Sequence, residues 1–410
     1  MVEDSFPFVY PLPDFLLTLL GLVLFVVDVA LDIRLVEDLY SEGAYLKTGI
    51  LLFIFLASTV IIQLFSGLLY YYDWKNRNAG RELLIRGKWS LTAAHLALLA
   101  VPLRYANILK ISIKSFHGEN SLLEGEAVYQ NHDLSLLRLF ETFLESAPQL
   151  VFMIFIIIQK KQVDFITSLK TAGSVASIAL SVAMYHRCMR SFLPEKSNQG
   201  YVSSLVYFLW NLLLIGPRVF AVALFTCANP CYIAGHYLIL WAVLVFWAWR
   251  QDKDFMDNLV GEWLYRCTVG QIWYFSWFNL TVGSTLWRGI IYHSIMLVDM
   301  GILLGFWWHQ QEYLEDIFKV EPYVILGIIF SLYILGLVLK VLYYRCFHPK
   351  VTELPPEEPE VPLRDEVDFH LLDVAQAAEA AERPKQEKLV INKRMRNLAA
   401  NFYSSPATTH

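Results

Sequence analysis

Residues 134–159 read LSLLRLFETFLESAPQLVFMIFIIIQ, a run long enough to cross a bilayer as one helix. It nevertheless carries Arg138, Glu141, Glu145 and Pro148. An ionised side chain at the centre of a spanning helix costs roughly 2.5 to 3.5 kcal/mol, so two lipid-facing carboxylates would cancel much of the apolar gain. Glu141 and Glu145 are four apart and share a helical face, with Arg138 one turn earlier. Either the charges lie in the headgroup layer at a helix boundary, or this face is a charged stripe turned toward protein or a wet cavity.

The remainder of the chain favours the second reading. It has 410 residues, of which 56% are hydrophobic and 15% aromatic, with a mean hydropathy of +0.43, which indicates an all-α polytopic membrane protein. From Phe15 to Ile33 runs a first candidate span in which Asp28 and Asp32 again stand four apart. Leu51 to Tyr72 makes a second. Lys75, Arg77, Arg81, Arg86 and Lys88 then crowd one loop, and the positive-inside rule puts that loop, and with it the amino terminus, in the cytosol. No cleavable signal is expected, because residues 1–14 hold Glu3, Asp4 and Asp14 and lack a basic start.

Further apolar runs cover Trp89–Leu109, Ile166–Tyr185, Leu205–Phe225, Tyr232–Trp249, Trp263–Leu280, Ile290–Trp308 and Tyr323–Tyr344. If every run crossed, the loop with Arg187, Arg190 and Lys196 and the loop with Arg250 and Lys253 would lie outside. Letting Trp89–Leu109 and Trp263–Leu280 enter and return makes both loops cytosolic, at the cost of Lys160 and Lys161 outside. The expected architecture is therefore about eight spans plus two re-entrant helices, in two parallel pseudo-repeats over 15–190 and 191–349. A cytosolic stretch 1–14 precedes them, and both termini are cytosolic.

Beyond Asp28, Asp32, Glu141 and Glu145, ionisable groups in or beside apolar runs are Arg104, Arg187, Arg218 and Asp299. Eight such charges left unpaired would cost on the order of 20 kcal/mol, more than a typical domain's stability. Singly, each reads as an interhelical ion pair; together they read as a polar path. An ion channel, a solute carrier and a lipid scramblase all fit such an interior. No HExxH, GxSxG, P-loop or kinase signature occurs, so neither an enzyme, a cofactor nor a metal site is expected, and no nucleic-acid partner. The five cysteines include Cys227 and Cys231 in CANPC, which read as two small apolar residues or as a short-range bridge.

After Pro349 the composition changes. Residues 350–388 form an acidic, proline-rich linker containing Asp365-Glu366-Val367-Asp368, then Phe369. DEVD is the preferred sequence of executioner caspases, which cut after the last Asp, and an extended linker offers the backbone that proteolysis needs. In 389–410, Ile391, Met395, Leu398 and Phe402 share a face of a basic amphipathic helix. It either lies on anionic lipid or docks on the cytosolic face and holds the protein closed until the linker is cut.

The blocks LLRLFETFLESAPQL, YFLWNLLLIGPRVFAVALF, EWLYR, YFSWFN and VLYYRCFHP resemble the XK-related membrane proteins, and the likeness extends from Phe15 to Pro349. The resemblance implies scrambling of phosphatidylserine to the outer leaflet of the plasma membrane in dying cells. It further implies a single-span immunoglobulin-type partner, basigin or neuroplastin, and a polar core of Asp28, Asp32, Arg104, Glu141, Arg218 and Asp299.

Overall fold

A computed structural model describes residues 10–75, 88–117, 121–160, 165–191, 199–251, 256, 258–279, 286–310 and 321–347. The caspase sequence Asp365–Phe369 and the tail positions Ile391, Met395, Leu398 and Phe402 lie outside the described residues. Regular structure among the described residues is helical: α1 (Leu12–Ser41), α2 (Tyr45–Lys75), α3 (Lys88–Leu96), α4 (Ala100–His117), α5 (Ser121–Glu141), α6 (Ala147–Lys160), α7 (Phe165–Ser191), α8 (Tyr201–Ala228), α9 (Ile233–Trp249), α10 (Leu259–Phe275), α11 (Leu286–His309) and α12 (Pro322–Leu342).

Six helical stretches are long and apolar enough to cross a membrane: Leu12–Ser41, Tyr45–Tyr71, Leu123–Lys160, Tyr201–Ala228, Leu286–His309 and Pro322–Phe347. The protein is a multi-pass membrane protein. Two runs expected to span fall short of that test. α9 has 17 residues, about 26 Å of helix against roughly 30 Å of hydrocarbon. α7 opens with FITSLKTAGSVAS, whose hydroxyls and lysine dilute its hydropathy.

The two runs expected to enter and return are each interrupted within their bounds. Trp89–Leu109 is broken between α3 and α4, where Leu98 takes a left-handed conformation (φ 61°). Leu99 N–H reaches back to Ala94 O (2.9 Å) and Leu98 N–H to His95 O (3.1 Å), the paired bonds that close a helix end and usually call for glycine. α10 begins when the Asn258 side chain accepts from Gly261 N–H at 2.5 Å, and it stops at the extended Ser276.

α5 and α6 form one continuous rod through a π-helical turn, Thr142–Ser146. Pro148 accounts for it: proline has no N–H to donate and its ring crowds the carbonyl one turn back, and a wider turn relieves both. The described parts of the polar segment 110–133 belong to α4 and α5, which pack on each other. There Asn107 donates to Gln130, and Gln130 donates to Glu126 at 2.5 Å.

α8 is the central helix, packed by α6, α7, α11 and α12. α12 approaches it so closely that a Cβ on Gly336 would lie 2.9 Å from Leu214 Cδ2 and 3.1 Å from the Leu213 carbonyl carbon. Backbone cannot retreat as a side-chain end can. Gly336→Leu is expected to lower stability by at least about 1–3 kcal/mol, read as the thermal midpoint of the purified protein. A wild-type midpoint would contradict the close approach.

The helix ends sort into two faces. Asp14, Arg187, Gln199 and Tyr343 meet at one: Arg187 Nε donates to Asp14 Oδ1 (2.7 Å), Arg187 Nη1 to Gln199 O (2.9 Å), and Gln199 Nε2 to Tyr343 Oη (3.2 Å). At the other, Lys160 Nζ pairs with Glu42 (2.6 Å), while Lys161 falls beyond the described residues. Cys227 packs nearby beside Leu39 and Ala44. Cys227 and Cys231 are both free thiols, so the short-range bridge is not formed.

Candidate functional site

α1 is built inside out. Its exposed positions from Leu12 to Ile33 are apolar, among them Leu16, Leu20, Val23, Val27 and Leu31, while its buried residues are Asp14, Thr18, Asp32 and Leu39. A helix in lipid has no reason to hide its hydrophobic side, so what it turns inward are the groups that hydrocarbon cannot solvate.

The inward positions Asp14, Thr18, Gly21, Phe25, Asp28 and Asp32 recur every three or four residues and form one stripe. Each meets a polar or cationic partner. Asp14 is paired with Arg187 of α7. The Thr18 hydroxyl donates to Asn131 Oδ1 of α5 at 3.2 Å. Gly21 leaves room for Tyr105 of α4, whose hydroxyl would stand 3.0 Å from an added Cβ. The Phe25 ring carries the Arg138 guanidinium 5.1 Å above it. Asp28 lies close enough to act electrostatically on Arg138 and Glu141. Gln149 of α6, with its amide nitrogen turned to the carboxylate, reaches Asp32 at 3.0 Å. From Asp14 to Asp32 is 18 residues, about 27 Å along the axis, nearly the thickness of the hydrocarbon.

Arg138 Nη1 donates to Glu141 at 2.6 Å. The π-turn then carries Glu145, buried at 4% exposure, to within 2.5 Å of the Ser58 hydroxyl of α2. Glu141 and Asp28 therefore share the Arg138 guanidinium, and Glu145 lies close enough to Glu141, Asp32 and Asp28 to feel their charge. A cavity of about 60 Å³ lies beside them, lined by Thr18, Gly21, Tyr105, Asn131, Ser135 and Arg138 together with leucines of α1 and α7.

Arg104 sits beside this seam on α4, held by Ser66 Oγ (3.1 Å), Asp133 (3.7 Å) and the Tyr70 ring (4.1 Å). Arg218 and Asp299 form a separate group between α8 and α11. Arg218 pairs with Asp299 and donates through Nε to Tyr274 O at 3.1 Å. His236 Nε2 donates to the other Asp299 oxygen at 2.9 Å. The eight charges singled out in the sequence thus divide: six line or flank the α1 seam, and two are paired with each other in the second half.

Sequence reasoning did not place Asp14, Ser58, Asp133 or Gln149 in the site, and it left Arg138 out of the set although it noted the residue. Asp14 and Thr18 were legible as the lower end of the same three-four stripe. Asp133 was masked by the polar segment that ends there, and Ser58 and Gln149 gave no signal, since their role comes from which helix faces them.

The sequence matches the family described as XK-related protein over residues 16–349. The chain belongs to the XK-related family. It is 41% identical over 406 residues to XK-related protein 8 of Tetraodon nigroviridis, covering 97% of each chain. It is 39% identical to that of Gasterosteus aculeatus, covering 95% of this chain and 96% of the relative, and 34% identical to that of Pan troglodytes, covering 96% and 94%. The XK-related match takes in every charge of the seam except Asp14.

Proposed function

We propose that this chain is a phospholipid scramblase of the plasma membrane. It would expose phosphatidylserine during apoptosis once an executioner caspase cuts after Asp368. The observation that carries the reading is the inward polar stripe of α1, a hydrophilic seam about as long as the hydrocarbon is thick, whose other wall is the Arg138–Glu145 segment. A headgroup can exchange its hydration for such side chains while its acyl tails remain in lipid. A cavity lined by leucines together with Thr18, Asn131, Ser135 and Arg138 suits an amphipathic cargo better than a bare ion.

In this reading eight helices cross, with α5 and α6 as one of them; the α3–α4 pair and α10 enter and return, and both termini are cytosolic. The basic helix with Ile391, Met395, Leu398 and Phe402 on one face docks on the cytosolic side, and the DEVD linker is the tether whose loss releases it. Surface delivery would use a single-span immunoglobulin-type subunit, basigin or neuroplastin, as the family resemblance implies.

The test is reconstitution of the chain ending at Asp368, with its subunit, into liposomes carrying fluorescent phosphatidylserine in both leaflets. Outer-leaflet quenching is expected to pass the half-way plateau and approach completion, without saturation by added solute, while the full chain stays at the plateau. Saturable solute uptake or single-channel conductance with no lipid transfer would assign the seam to a transporter or a channel instead.

A further inference from the structure

α11 and α12 both pack on α8, and His293 of α11 bridges to α12. Its Nδ1 lies 3.0 Å from Tyr333 Oη, and its Nε2 lies 2.8 Å from Lys340 Nζ. An ammonium has only donors, so Nε2 accepts from Lys340 and Nδ1–H donates to Tyr333. The Lys340 ammonium also rests 5.0 Å from the centroid of the Trp210 ring of α8. Its surroundings are thus an imidazole and an indole, neither of which carries negative charge. Among the described residues no carboxylate lies within ion-pair distance of it.

That is unlike the other charges of the membrane region described above. Arg104, Arg138, Arg187 and Arg218 each have an acid partner. An isolated cation at a membrane depth is expensive unless it is paired or drawn toward water. Lys340 is not turned to water: its ammonium points inward to His293 and Trp210. α12 with its terminal π-turn runs 26 residues, about 39 Å, against about 30 Å of hydrocarbon. Lys340, seven residues from that end, lies close to the boundary between acyl chains and headgroups. The end is the one that carries Tyr343, on the same face as Asp14 and Arg187. Apolar residues neighbour the pair along each helix: Ile290 and Leu297 one turn to either side of His293 on α11, and Leu337 and Tyr344 one turn to either side of Lys340 on α12, with Leu297 and Leu337 partly buried against the core. Ile290 is 46% and Tyr344 52% exposed.

We infer that the groove between α11 and α12 is a binding site for one phospholipid, its phosphodiester paired with Lys340 and its acyl chains along Ile290, Leu297 and Leu337. The site is distinct from the α1 seam, and the lipid in it is a resident, not cargo. By the sidedness proposed above it belongs to the inner leaflet. His293 holds the ammonium at the groove by accepting one of its hydrogens, and two donors remain for phosphate oxygens, a charge-assisted pairing.

The experiment is native mass spectrometry of the full chain purified in mild detergent with added phosphatidylserine, counting phospholipids retained per chain. Wild type and Lys340→Arg are expected to keep one phospholipid that Lys340→Met and Lys340→Gln lose; Gln keeps a donor toward His293 but no charge. The thermal midpoint in detergent, measured alongside, selects whichever of the two uncharged variants is folded like wild type. An unchanged phospholipid count in that variant would overturn the proposal. So would release of the lipid by millimolar inorganic phosphate, which would mark a site for a soluble anion. Neither readout depends on transfer across the bilayer, so the inference stands or falls separately from scrambling.

Discussion

Arg138→Leu is expected to be among the most damaging single changes in the seam, lowering stability by about 3–5 kcal/mol, the usual penalty for removing one partner from a buried ionic group. The size follows from the arithmetic of charge around that side chain. Glu141 is bonded to it at 2.6 Å, Asp28 feels its field, and Glu145 is itself repelled by Glu141, Asp32 and Asp28. Without the guanidinium Glu141 loses the donor bonded to it, and Glu141 and Asp28 keep their mutual repulsion without the cation between them. Glu141→Gln does the opposite: it removes one like charge, keeps an acceptor for Arg138, and is expected to change stability by less than about 1 kcal/mol. If the seam is the lipid route, that same quiet substitution lowers phosphatidylserine transfer by the chain ending at Asp368. Thermal unfolding in detergent and the liposome assay, read side by side, check both. A wild-type midpoint for Arg138→Leu would mean the acids are solvated by some other means, and full transfer by Glu141→Gln would remove that carboxylate from the path.

The parts of this arrangement that could be read from sequence are those set by local spacing. Asp28 and Asp32 four apart, and Glu141 and Glu145 four apart, announce a shared face on any helix, and the cost of facing lipid then says the face turns inward. Hydropathy located most of the helices, and the charge rule set Trp89–Leu109 apart as a run expected to enter and return. What spacing cannot supply is the partner across the interface. Asp14 pairs with a residue 173 positions away, Ser58 with one 87 away, and Arg104 of α4 with Asp133 of α5. The same limit governs Arg218 and Asp299. Each is an intramembrane charge and was rightly suspected of needing a partner, but only the packing of α8 against α11 says that the partner of each is the other, so that the pair belongs to its own group and not to the α1 stripe.

That separation makes a second large effect predictable. Asp299→Leu should lower stability by about 3–5 kcal/mol, because Arg218, 1% exposed, keeps its Tyr274 carbonyl but loses its counter-charge, and His236 loses the oxygen it faces at 2.9 Å. The double change Arg218→Met with Asp299→Leu should recover most of the loss, since replacing a whole buried pair by apolar groups of similar volume is often neutral or stabilising. His236 retains the Tyr274 hydroxyl at 3.1 Å, so no buried ion is stranded. A pair that serves only the packing of α8 on α11 can be exchanged in this way with transfer intact, whereas a pair that carries headgroups cannot. The double variant, cut after Asp368 and assayed in liposomes, is therefore expected to move phosphatidylserine at close to the wild-type rate. Restored stability with transfer abolished would instead join Arg218 and Asp299 to the route, and the seam along α1 would then be only one of its two walls.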